Sequence, residues 1–99
     1  MNERKTWTEK RAEIMSGPGA QAAYDAAKIR FELGEIVRLR REELGITQAQ
    51  LAERAGLQQP AVARFEAGGT TPTLPMLERL AAALDMRLRV ELEPLAKAC

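Results

Sequence analysis

The sequence has no histidine, one serine (Ser16) and one cysteine, Cys99, at its last position. These shortages remove most of the catalytic repertoire. No nucleophile can stand beside an imidazole base, a metal site lacks its usual ligands, and no phosphate-cradling glycine loop occurs. The carboxylates fall among basic residues at helical spacing, as on solvated faces. No enzyme, metal or cofactor is therefore expected. A single cysteine excludes an intrachain disulfide and reads as an incidental thiol. With no spanning helix and nothing like a signal peptide, a cytoplasmic protein without a membrane partner is expected. An excess of one charge is also missing, since 15 Lys and Arg against 14 Asp and Glu leave +1. Ninety-nine residues suit one domain with a modest core.

What is present centres on TQAQLAERAGLQQPAVARFEAG, residues 47–68. Thr47 and Gln50 form a T-x-x-Q capping box at the start of a short helix. Leu51, Ala52 and Ala55 give that helix an apolar face, and Gly56 stops it. Leu57 fills the corner. A second helix starts near Gln58, with Pro60 in its first turn, where a missing N–H costs little. Val62 and Phe65 face inward, and Gly68-Gly69 ends it. Ala52 is small, so the second helix can cross it closely. The pattern is that of a helix-turn-helix presenting its second helix to a DNA major groove; the plainer alternative is a helical hairpin within a bundle.

The segment ITQAQLAERAGLQQPAVARFEAG, followed by TPTLPMLERLAAALDM, resembles the Cro/phage-repressor type of helix-turn-helix, also called Xre-like. The resemblance covers roughly Leu33 to Met86. It implies an all-α, lambda-repressor-like domain of five helices whose third, about Gln58 to Ala67, reads bases. It also implies a structural ion pair between Arg41 and Glu66, which occupy the family's positions for an arginine late in helix one and a glutamate ending helix three. Carried over by position, Gln48 would hold a phosphate. Gln58, Gln59, Pro60, Ala61, Ala63 and Arg64 would form the exposed reading face, with Thr70 in a loop beside the DNA. Gln59 suits adenine, Arg64 suits guanine, and Ala61 can touch a thymine methyl. Pro60 and Ala61 depart from the polar residues common there, so DNA shape would supply part of the specificity.

Charge is the weak point of this case. From Phe31 to Asp85, six arginines stand against eight acids, a balance of −2. The distribution is better than the sum, because Leu57 to Phe65 contains no acid. Moderate affinity with strong dependence on salt and on a second subunit is expected.

The chain divides into an extension (1–30), the helix-turn-helix domain (31–85) and a tail (86–99). In the extension, Thr6 and Glu9 make another capping box, and Trp7, Ile14 and Met15 share one side of a short helix that Ser16-Gly17-Pro18-Gly19 breaks. It is either a frayed arm or a segment that docks on its own domain or on a partner. From Ala20 to Leu44 one long helix or two abutting ones is expected, with Tyr24, Ala27, Phe31, Leu33, Ile36, Val37, Arg41 and Leu44 at helical spacing. Thr73 caps the last helix, whose Leu74, Leu77, Leu80, Ala81 and Leu84 read as core.

In the tail, Met86, Leu88, Val90 and Leu92 alternate with Arg87, Arg89, Glu91 and Glu93, the period of a strand. Nothing else in the chain reads as a strand, so its simplest partner is the same strand of a second copy, antiparallel across a two-fold. Arg87 and Arg89 would then lie near Glu91 and Glu93 of the other chain. A homodimer on a palindromic operator follows.

Several regulators share such a domain. The tryptophan-bearing extension, long first helix and RLRVELEP tail are similar to antitoxins of the Xre type. That likeness implies repression of the protein's own operon and neutralisation of a small toxin, usually a RelE-like ribonuclease, with Trp7, Ile14 and Met15 as candidate toxin contacts. A stand-alone repressor and a protein-interaction adaptor that has lost DNA binding are the alternatives. No small-molecule ligand is expected.

Overall fold

A computed structural model describes residues 6–17 and 19–96. Pro18 of the expected break and the Cys99 thiol lie outside them. Among the described residues the chain forms five helices: α1 (Trp7–Ile14), α2 (Ala20–Glu43), α3 (Gln48–Ala55), α4 (Gln59–Glu66) and α5 (Leu74–Ala83). The count of five includes α1 in the extension, so α2–α5 build the domain itself. None of these helices is long and apolar enough to cross a membrane.

Local chemistry sets the boundaries. Thr6 and Thr47 each accept a hydrogen bond from the amide three residues on, while Glu9 and Gln50 reach back to the capping amide. Thr73 accepts from the Met76 amide at 3.2 Å, and Pro75 stands in the first turn of α5. Gly56, in the left-handed region at φ +70°, lets α3 stop after two turns, and the Leu57 amide then donates to the Ala52 carbonyl at 2.9 Å. The end of α5 is made the same way but with Asp85, a non-glycine residue at φ +57°. There the Met86 and Asp85 amides donate to the carbonyls of Ala81 and Ala82.

The core gathers Val37, Ile46, Leu51, Ala52, Ala55, Val62, Phe65, Leu80 and Leu84, with Leu33, Leu44, Leu57, Met76, Leu77 and Ala83 against it. Leu51, Val62, Leu80 and Leu84 are essentially inaccessible. Of the α5 residues read as core, Leu74 and the half-buried Ala81 are not in it, and neither is Ile36 of the α2 repeat. Leu74 is exposed, because the buried face of α5 centres on Leu80 and Leu74 lies about 120° round the helix from it. Ile36 is 49% exposed. It sits about 160° round α2 from buried Gly34, on the opposite face of the helix.

Gly34 explains how α2 meets α4. A Cβ built there would lie 2.7 Å from the Glu66 carbonyl oxygen and closer still to that of Phe65. Only a residue without a side chain lets α2 pass over the end of α4 at this depth.

The extension docks on its own domain. The Trp7 ring stands 5.4 Å from those of both Tyr24 and Phe31, and the Arg11 guanidinium lies over Tyr24. Trp7 is thus half-buried against α2, Ile14 is half-buried, and Met15 is exposed. Beyond Met86 the described tail adopts no regular element, and Val90, Leu92 and Leu95 are open to solvent. A strand needs a second strand, and the described residues supply none.

Candidate nucleic-acid interface

Helix α4 has two chemically distinct sides. Val62, Phe65 and Glu66 are buried. Gln59, Pro60 and Arg64 are exposed and Ala63 is half-buried; helical spacing sets Pro60, Ala63 and Arg64 away from the core, while Gln59, exposed at the first position of the helix, lies nearer the buried row. Gln58, the residue before the helix, is exposed and makes no side-chain cap. Ala61 lies at the edge of this face, half-buried, and Thr70 is half-buried in the following loop. Arg64 has no ion pair or side-chain hydrogen bond among the described residues. The arrangement offers two carboxamides and one free guanidinium on a helix surface that carries no acid.

Beneath this face lies a polar network. Arg41 donates from Nε to Glu66 Oε2 at 2.6 Å and from a terminal nitrogen to Oε1 at 3.1 Å. Its other terminal nitrogen donates to the Ile46 carbonyl at 2.9 Å. The planar guanidinium meets the carboxylate in the two-bond geometry that gives such pairs their directionality. Glu66 is 5% exposed, so without Arg41 it would be a buried, uncompensated charge. The hydrogen bonds to Glu66 raise the Arg41 pKa above its ordinary value, against a smaller opposing effect of burial. A group with a raised pKa contributes fully below its unfolded value and loses that contribution only above it. The pair therefore holds at every neutral pH.

Gln48 joins the same network, its Nε2 donating to Glu66 Oε1 at 3.0 Å. Sequence reasoning placed this residue against a phosphate and did not anticipate its bond to Glu66. The two roles are compatible, since the carboxamide keeps a second N–H, and the first amides of α3 have no intrahelical acceptor. The carboxylate ending α4 thus fixes the side chain that begins α3. Arg40 was also missed. Its Nε donates to the Leu84 carbonyl at 3.0 Å, tying α2 to the end of α5. A backbone acceptor 44 residues away leaves no signal in the sequence.

Two short helices joined by a tight turn, the second seated on a buried ion pair with an acid-free outer face, define a helix-turn-helix module. Residues 37–90 match the helix-turn-helix family model, and the chain belongs to that family. It is 39% identical over 69 residues to "Antitoxin HigA1" of Mycobacterium tuberculosis, covering 70% of this chain and 46% of that protein. It is 44% identical over 50 residues, 50% of this chain and 51% of the relative, to an uncharacterized HTH-type transcriptional regulator of Haemophilus influenzae. A similarly described protein of Methanothermobacter thermautotrophicus is 41% identical over 49 residues, 50% of this chain and 71% of the relative. The chain thus spans about half the length of the first two relatives. Family and relatives point to a DNA-binding regulator and not to an enzyme.

Proposed function

We propose that this chain is the DNA-binding antitoxin of a toxin–antitoxin pair. It acts in the cytoplasm as a homodimer that grips a palindromic operator, represses its own operon and neutralises a small toxin of the RelE-like ribonuclease kind. One observation carries the antitoxin part. The likeness to the Mycobacterium antitoxin runs over 69 residues, about fifteen more than the family domain. The likeness to the two regulators stops at 50 and 49, about the domain alone. The likeness that extends past the domain is to an antitoxin, which supports this reading.

In this reading Gln59 and Arg64 read base edges, Ala61 adds apolar contact at the rim of the face, and Gln48 holds a phosphate while bound to Glu66. Gln58, Pro60, Ala63 and Thr70 line the same approach. Each two-bond base contact contributes ~1–3 kcal/mol of discrimination. Met86, Leu88, Val90 and Leu92 form one face of the strand that pairs two copies. Arg89 bonds Glu91 within its own tail in the single chain, and the cross-strand pairs of the dimer replace that contact. Toxin contact falls to α1. There Met15 and the outer edge of Ile14 face outward, while Trp7 holds the helix on α2.

The test is co-expression. The product of the small reading frame beside this gene is expected to arrest growth alone and to be harmless with this chain. It should also co-purify with the chain, and Met15→Glu should weaken that association. If the neighbouring product is harmless alone and does not bind, the antitoxin reading fails. The stand-alone regulator, favoured by the two relatives of that description, then replaces it.

A further inference from the structure

The helix α2 carries apolar side chains on the face that the domain leaves uncovered. Ile29 is 58% exposed, Ile36 49% and Leu39 53%. Ile29 and Ile36 are two turns apart, and Leu39 follows one turn later, so the three form a single stripe about 15 Å long. The Arg40 bond to the Leu84 carbonyl anchors the root of the tail to α2. Arg40 lies one turn beyond Ile36 on the same side of the helix. The tail therefore leaves the domain beside this stripe, carrying Met86 at 40% exposure, Val90 at 64% and Leu92 at 98%. Two bare apolar rows start from one point.

We propose that the outer face of α2 is the floor of a dimer interface, covered by a ribbon of two tails, one from each of two copies of this chain. The proposal rests on the tail-to-tail pairing above and goes beyond it. An isolated pair of strands is at best marginally stable in water, and gains independence only by packing on further strands or on a helix. The alternating segment Met86–Glu93 spans about 27 Å when extended, long enough to cross the stripe of its own copy and reach that of the partner. Period two sends Met86, Leu88, Val90 and Leu92 to one side, toward Ile36 and Leu39, and the Arg and Glu residues to the other, toward water. A second copy answers both exposed rows at once, whereas a tail folded back on its own helix leaves its backbone unpaired.

Sedimentation velocity of the full chain across a concentration series tests this, with circular dichroism confirming helix content for each variant. The wild type is expected to be a dimer. Ile36→Gln with Leu39→Gln, and separately Val90→Pro, are each expected to weaken dimerisation at least tenfold while leaving the helices intact. Should only Val90→Pro weaken it, the tails pair without the α2 floor and this inference is overturned while the strand reading stands. Should only the α2 variant weaken it, α2 is an interface for something other than the tails, and both are overturned. A monomeric wild type, or a dimer indifferent to both variants, also overturns both.

Discussion

The inner and outer faces of α2 belong to the same 24-residue helix and present opposite chemistry. On the inner face Gly34 lies against the backbone of Phe65 and Glu66, Val37 enters the core, and Arg41 meets a buried carboxylate. On the outer face Ile29, Ile36 and Leu39 are about half exposed to solvent. The inner face is complete within one chain, so its residues answer to folding. The outer face carries these apolar side chains among charged ones such as Glu32 and Glu43, and a partner for it is what the proposed dimer supplies. An apolar repeat along a helix thus marks apolar positions without saying which of them the chain itself covers.

The comparison can be broken most severely at the inner face. Glu66→Ala removes the carboxylate from a half-buried guanidinium and from Gln48. Urea melts are expected to show a loss of ~3–5 kcal/mol, with Glu66→Gln losing less because it still offers Gln48 an acceptor. A loss below about 1 kcal/mol would mean that the pair does not hold α4 in place. Gly34→Ala comes next. Helix propensity alone would favour alanine by ~1 kcal/mol, yet the methyl group would strike two carbonyl oxygens, so a net loss of ~1–3 kcal/mol is expected. A gain in thermal stability would show that α2 and α4 can separate freely.

Smaller effects sharpen the contrast. Asp85→Gly relieves a left-handed residue at the end of α5 and should stabilise the domain by ~0.5–1 kcal/mol in the same melts. Ile36→Gln, measured at concentrations low enough to keep the chain monomeric, should change stability by no more than ~0.5 kcal/mol. A large loss from that single change would place Ile36 in the folding core after all and erase the difference between the two faces.

Much of the domain was legible in the residues because it is written in local chemistry. Thr47 with Gln50, Gly56, Pro60 and Thr73 with Pro75 act within a few positions of themselves, and the helix boundaries follow them. The Arg41 and Glu66 pair and the exposed Gln59 and Arg64 came from family position, and the structure adds the geometry around them. Less legible was anything that depends on how far round a helix the core extends. Leu74 and Ile36 fit a helical repeat yet face outward, because a repeat marks apolar positions without saying which are covered. Gly34 was visible as an isolated glycine in a long helix, but the carbonyls it admits belong to residues more than thirty positions on. The links from Gln48 to Glu66 and from Arg40 to Leu84 join groups brought together only by the completed fold.

The central claim is that α4 reads DNA bases from a frame held by the Arg41–Glu66–Gln48 network. It is tested most directly by fluorescence anisotropy with duplex DNA from immediately upstream of the gene, beside a scrambled duplex, at two salt concentrations. The wild type should bind the native duplex tightly and the scrambled one weakly. Arg64→Ala should lose ~1–3 kcal/mol on the native duplex and narrow the gap between the two. Gln48→Ala should weaken both duplexes alike without changing the salt slope, since a neutral amide releases no counterion. Equal, weak binding to both duplexes that Arg64→Ala leaves unchanged would contradict the account.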